Sequence, residues 1–189
     1  TLRGVATHRT AFSSRLAVLP GSIEAMRAAL TAYVHEESHP NLISGQALAA
    51  PRALFVFAGN GTQFPTMGTD LLQLSAEFAA GVKLADAALQ PHLEWSVEEV
   101  MRTGTCQPED PEIAQPLLFA FQVGIVHALA IHGVHPNSVV GHSVGEIAAA
   151  YCAGALALEE AARIVVLRRR HQAKASGAGL VSVLRHPAQ

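Results

Sequence analysis

Gly141-His142-Ser143-Val144-Gly145 sets a serine between two glycines. The β-branched pair Val139-Val140 precedes it and a run of mostly small residues, 147–153, follows. That order reads as strand, sharp turn, helix. Such a turn holds a serine in a strained conformation and exposes its hydroxyl at the end of a sheet, where it can act as a nucleophile. The glycines meet a steric need, because a Cβ at either position would crowd strand against helix. The helix N-terminus behind Ser143 offers backbone N–H groups and a positive dipole end to a developing oxyanion. A glycine-rich turn before a helix is the plain alternative, and the strand–turn–helix setting is what favours the nucleophile.

A second chemical stretch lies upstream. Leu54-Phe55-Val56-Phe57 is a short apolar run, expected to be a buried parallel strand. It ends in Ala58-Gly59-Asn60-Gly61-Thr62-Gln63, a loop at the carboxyl end of a strand, where α/β proteins place their sites. A nucleotide loop is disfavoured, since the full Gly-x-Gly-x-x-Gly spacing and a following Lys-Ser/Thr are missing. Downstream, Arg168 lies three and four residues from Val165 and Ile164, near the apolar face of an expected helix over 158–175. An arginine there calls for a carboxylate, from protein or ligand. Spacing alone does not rank Arg169 and Arg170 against it.

Other chemical patterns are weaker. His35-Glu36-Glu37-Ser38-His39 matches His-Glu-x-x-His, but Pro40 biases His39 away from helical geometry, so a solvated helix end is expected and no metal site. His127, His132 and His135 fit no metal spacing and read as surface or helix-end residues. Cys106 and Cys152 form no metal or redox pair. Cys152 reads as a small core residue, and this usage suits a reducing cytosol, so a cytoplasmic location is expected.

The elements that must position these groups follow from pattern. A strand over 15–19, Pro20-Gly21-Ser22 and a helix from Ile23 to about Glu37 open the chain. Residues 1–50 are too few for their own core and read as a linker packed on a neighbour. Helices are expected over 69–89, as a short turn over 95–101, and over 111–132, the last opened by Gln115-Pro116 with its proline in the first turn. A polar loop is expected over 103–111. Gly133 ends the long helix and the helix after Ser143 stops near Gly154. Ser176-Gly177-Ala178-Gly179 reads as a turn and Leu180-Val181-Ser182-Val183-Leu184 as a strand.

Of 189 residues, half are hydrophobic and 15% are charged, as in a folded domain with a real core. The formal net charge of −2 gives no electrostatic case for nucleic acid. No apolar run is expected to span a bilayer, and no signal peptide is expected. The chain opens on Thr1 rather than Met and reads as part of something longer.

Together these pieces resemble the acyltransferase domain of modular type I polyketide synthases, related to malonyl-CoA:acyl carrier protein transacylases. The resemblance covers essentially the whole chain. Residues 1–50 resemble the end of the ketosynthase–acyltransferase linker, and 51–189 the first part of the acyltransferase domain. Phe55 to Gln63 resembles the family's opening Gly-Gln-Gly-x-Gln strand and loop, with Asn60 in place of the usual Gln. Ala114-Gln115-Pro116-Leu117-Leu118-Phe119-Ala120 resembles its Gln-Pro helix, and Gly141 to Glu146 its Gly-His-Ser-x-Gly-Glu motif. Ala162 to Arg168 resembles the helix that carries its substrate arginine.

The resemblance implies an α/β fold: a hydrolase-like parallel sheet flanked by helices, with a nucleophile elbow. It also implies that the chain stops before most of a ferredoxin-like small subdomain beginning near residue 179. It implies that Ser143 takes an acyl group from an acyl-CoA and passes it to the phosphopantetheine thiol of an acyl carrier protein. No bound cofactor is implied. The backbone N–H groups of Asn60 and Val144 would hold the oxyanion. Arg168 would pair with the free carboxylate of malonyl- or methylmalonyl-CoA, and His142, Gln63 and Gln115 would line the substrate site. Val144 and Ala114-Gln115 resemble malonyl-selective members. The family's general-base histidine would lie beyond residue 189, leaving this stretch alone nearly inactive. Carrier protein and ketosynthase are the implied partners; neither nucleic acid nor membrane is.

Two rival readings remain. An α/β-hydrolase such as a thioesterase shares the elbow but has no reason for Gly59 to Gln63 or for Arg168. A docking fragment of a megasynthase would bind a carrier protein or neighbouring domain without turnover.

Overall fold

The computed structural model describes residues 10, 12–105 and 111–174. The chain divides into two units, Thr1–Pro51 and Arg52–Gln189. The turn and strand expected over 176–184, and the subdomain start near 179, lie outside the described residues.

In the first unit β1 (Ser14–Val18) pairs antiparallel with β2 (Leu42–Gln46), from Ser14 opposite Gln46 to Val18 opposite Leu42. Helix α1 (Ile23–Val34) joins them, capped by the Ser22 hydroxyl, which accepts from Ala25 N–H at 3.2 Å. Sequence reading missed β2, because Leu42-Ile43 is too short an apolar run to stand out from turn residues. Only Ala29 and Ala32 are buried among the described residues of this unit, since a ribbon and one helix offer little to bury. Helix α1 ends at Val34, so His35 is its C-cap and Glu36 turns left-handed (φ 60°). His39 Nδ1 accepts from Asn41 N–H at 3.2 Å. No helix therefore brings His35 and His39 onto one face.

The second unit is built on β3 (Leu54–Phe57) and β4 (Ser138–Gly141), parallel and in register from Leu54 opposite Ser138 to Phe57 opposite Gly141. Asn137 closes the start of the pair: its Oδ1 accepts from Ala53 N–H at 2.9 Å, and its N–H donates to Ala53 O at 2.8 Å. The expected burial of β3 is corrected. Leu54 and Val56 are 58% and 72% exposed, because alternate residues of a strand share one face of the sheet and theirs is left open, while Phe57 on the opposite face is buried.

Around this pair stand α2 (Thr69–Leu74), α3 (Ala76–Leu89), a 3-10 turn at Gln90–His92, α4 (Val97–Thr103), α5 (Pro111–Ile131), α6 (Gly145–Cys152) and α7 (Leu158–Lys174). The single helix expected over 69–89 is two. Ser75 is extended (φ −130°, ψ 110°), and its hydroxyl accepts from Phe78 N–H at 3.1 Å to start α3. A backbone hydrogen bond, then the Ser75 hydroxyl 3.0 Å away, hold the Glu77 carboxyl below its usual pKa. Asp86 of α3 accepts from Val97 N–H at 2.6 Å and from the Ser96 hydroxyl at 3.0 Å, fixing the start of α4. Helix α5 starts at Pro111 as expected, but Pro116 therefore lies inside it rather than in its first turn.

One more expectation fails. Ile113–Ile131, 19 residues of mean hydropathy 1.6, is long and apolar enough to cross a membrane by those measures. Part of its apolar surface is buried inside the protein: α5 packs on α3, α6 and α7, and Leu117, Phe119 and Val123 are fully buried. Against α3 the approach is tight, since Gly81 meets Gly124 and His127. His127 is thus half-buried against Gly81 rather than at the surface, whereas His132 and His135 are exposed. Desolvation raises the pKa of the half-buried Cys152 thiol, in line with a packing role.

A Cβ on Gly124 would fall 2.7 Å from the Phe78 ring and 2.8 Å from Val82. Gly124→Ala should therefore cost about 1–3 kcal/mol, the usual penalty of overpacking. Urea unfolding measures it; an unchanged midpoint would mean that the two helices part freely.

Candidate active site

Strand β4 runs straight into a tight turn. Ser143 there has φ 57°, a left-handed conformation that costs a residue with a Cβ about 1–3 kcal/mol. The turn is held by its neighbours. His142 N–H donates to Phe57 O at 3.0 Å, Gly145 N–H to His142 O at 2.9 Å, and Glu146 N–H to Ser143 O at 3.2 Å. A Cβ on Gly141 would strike the backbone of Gly145 and Glu146, and one on Gly145 the carbonyls of Phe57 and Ala58. The glycine spacing thus lets β3, the turn and α6 meet backbone to backbone. A third glycine matters as much. A Cβ on Gly59 would lie 2.6 Å from His142 O, 2.8 Å from Ser143 Cβ and 2.9 Å from His142 Nδ1. The loop after β3 is therefore pressed directly on the serine turn.

That loop is fixed carbonyl by carbonyl. Phe57 O accepts from His142 N–H, Ala58 O from Gln122 Nε2 at 2.7 Å, and Gly59 O from the Thr62 hydroxyl at 3.0 Å. Gln63 turns its Oε1 back to Gly61 N–H at 2.8 Å. Gly61 itself has φ 102°, which a side chain would oppose. Among the described residues, neither Asn60 N–H nor Val144 N–H has an acceptor. Both follow directly on residues that touch one another, Gly59 and Ser143.

Arg168 reaches this turn from α7. Its Nη2 donates to Ser143 Oγ at 3.1 Å, and its Nη1 lies 3.5 Å from Gln115 Oε1, a long hydrogen bond. The guanidinium and the N-terminus of α6 place positive potential around the hydroxyl. The three successive arginines have separate fates: Arg169 is buried, and Arg170 Nη2 donates to His92 O at 3.2 Å on the 3-10 turn.

The structure brings together Ser143, Arg168 and Gln115, and sets His142 and the Gly59 loop against the same turn. Gln115 was expected in the substrate site. It is fully buried, and its Oε1 lies beside Arg168. Val144 is fully buried, leaving only its backbone to act, while His142 is exposed. Sequence reading missed Thr62 and Gln122. The signal for Gln122 was a polar residue within the apolar stretch from Leu117 to Val123 of a core helix. One amide oxygen of Gln122 is buried without a partner, which costs about 1–3 kcal/mol in a folded protein.

The strain predicts a stability order. Ser143→Gly should melt about 2–4 °C above Ser143→Ala, because glycine accepts φ 57° and alanine does not. Thermal denaturation reads the difference, and equal melting temperatures would mean that the turn relaxes at no cost.

A family profile described as an acyl transferase domain matches residues 54–186. The chain is 43% identical over 170 residues to the pikromycin polyketide synthase component PikAII of Streptomyces venezuelae, covering 89% of this chain and 4% of that protein. It is 38% identical over 176 residues to the erythronolide synthase EryA3 of Saccharopolyspora erythraea, covering 93% of this chain and 6% of that one. The chain thus spans a small fraction of the length of these relatives. Among solved structures it resembles the acyltransferase domain from module 8 of the salinomycin polyketide synthase. That match has a TM-score of 0.73 and 37% identity, and covers 86% of this chain and 39% of that one.

Proposed function

We infer what this site does from one premise: the chain belongs to the acyl transferase family, as an acyltransferase domain of a modular type I polyketide synthase. Ser143 is the nucleophile. Its Oγ attacks the thioester carbonyl of an acyl-CoA, and its proton passes to a general base. The oxyanion takes hydrogen bonds from Asn60 N–H and Val144 N–H. Collapse expels the CoA thiolate, which takes up a proton, and leaves an acyl-serine. The phosphopantetheine thiol of an acyl carrier protein then attacks that ester and regenerates the serine. The base is a histidine supplied from outside these 189 residues, so the chain alone turns over little or nothing. Residues 1–50 are the linker to a neighbouring ketosynthase. A cytoplasmic location fits the free thiol of Cys152.

One observation carries the choice of substrate: Arg168 Nη2 lies 3.1 Å from Ser143 Oγ. A guanidinium is a fork for a carboxylate. With the fork beside the nucleophile, one short acid can meet both groups. A malonyl unit fits, since a single carbon separates its carboxylate from its thioester carbonyl. Methylmalonyl keeps the same spacing, and malonyl is the preferred reading. Asn60 acts through its backbone, so the usual glutamine is not needed there.

Intact-protein mass spectrometry after mixing with malonyl-CoA tests the assignment, on this chain and on a version extended toward the full domain. The extended protein should gain one malonyl group, hold it until carrier protein is added, and gain none as Ser143→Ala. Prompt loss of the group to water would make the site a hydrolase. No adduct with malonyl- or methylmalonyl-CoA would leave a binding module.

A further inference from the structure

We propose that Gln122 is a positioning residue for the loop that serves Ser143. It rests on the reading that Asn60 N–H meets the acyl oxygen. Gln122 stands on α5 and is only 8% exposed. Its Nε2 donates to Ala58 O at 2.7 Å, across 64 residues of sequence. The opposite amide orientation would set Oε1 against Ala58 O, two acceptors with no proton between them, so the donor must point at Ala58.

Ala58 sits between two anchored peptides. Phe57 O is held by the serine turn itself, through His142 N–H at 3.0 Å. Gly59 O, on the peptide that carries Asn60 N–H, is held by the Thr62 hydroxyl at 3.0 Å. The Thr62 bond is internal to the loop. The Phe57 bond ties the loop to the turn. Gln122 alone among these three ties it to the core, through a helix that packs on α3, α6 and α7. Removing that tie leaves the Ala58–Asn60 segment free to tilt about the end of β3.

The unpaired Oε1 argues that the residue is kept for position rather than for stability. A buried amide with one unsatisfied oxygen is a poorer core residue than methionine of similar size. Methionine would also suit the neighbours Leu118, Phe121 and Val126, which with Gln122 line an apolar groove of about 450 Å³ beside β3. What methionine lacks is the donor for Ala58.

The test uses the whole synthase polypeptide that carries this chain, with two probes of Ser143. One is malonyl-CoA; the other is a fluorophosphonate, whose tetrahedral adduct needs the same oxyanion donors but no acyl-CoA pocket. Gln122→Met should melt at or above the parent. It should react with both probes on the order of tenfold more slowly, the cost of a misplaced donor, at an unchanged KM for malonyl-CoA. A parent-like rate in well-folded Gln122→Met would overturn the role. Should Gln122→Met melt low, Gln122→Glu decides. Its protonated carboxyl can donate to Ala58 O and its carboxylate cannot, so its rate should fall with rising pH relative to the parent; parallel profiles would overturn the role. A parent labelled by fluorophosphonate but not by malonyl-CoA would refute the substrate and leave the positioning role decided by the fluorophosphonate rates. A parent labelled by neither would overturn both.

Discussion

Everything around the site depends on one backbone constraint: Ser143 must stay left-handed with its hydroxyl outward. A residue with a Cβ resists that conformation, so the fold surrounds it with contacts that leave no other choice. Gly141, Gly145 and Gly59 let strand, helix and loop press on the turn at distances no side chain would allow. The hydrogen bond from His142 N–H to Phe57 O then locks the turn to β3. The parallel pairing of β3 with β4 sets this register, since Phe57 stands opposite Gly141. A strained serine, two open N–H groups and a loop against them result from that single packing arrangement.

The cation comes from a different part of the fold. Helix α7 is anchored by Ala161, Ala162, Val165 and Val166, all buried. This face carries Arg168 to the serine and sends Arg170 to the 3-10 turn. Gln115 on α5 lies beside Arg168 as a neutral acceptor, which meets the guanidinium without cancelling its charge. An acidic residue there would hold the arginine more tightly and leave less of it for a ligand carboxylate.

Much of this was legible in the sequence. The elbow could be read because glycine spacing, a β-branched strand and a small-residue helix all answer the same steric demand. Arg168 could be placed near the apolar face from its spacing to Val165 and Ile164, though not ranked above Arg169 and Arg170, because rank depends on which neighbour each meets in space. The resemblance set Gln115 in the substrate site, but its burial and its contact with Arg168 were not legible, because both depend on how α5 and α7 pack. Gln122 escaped notice because its partner, Ala58 O, is a backbone group 64 residues away. The break at Ser75 was missed because a serine within an apolar periodic run looks like a tolerated helix residue until its hydroxyl is seen capping Phe78. The exposure of Leu54 and Val56 was missed for another reason: an apolar strand announces a need for cover but not what supplies it.

The central claim is that a guanidinium beside the serine selects a short acyl group with a free carboxylate. The most direct measurement is the rate of Ser143 acylation by malonyl-CoA and by acetyl-CoA, in the parent protein and in Arg168→Ala. The account predicts that the substitution slows malonyl transfer on the order of a hundredfold, the scale of losing one partner of a desolvated ion pair, while acetyl transfer holds or rises. An equal fall for both substrates, or malonyl transfer at the parent rate, would contradict it.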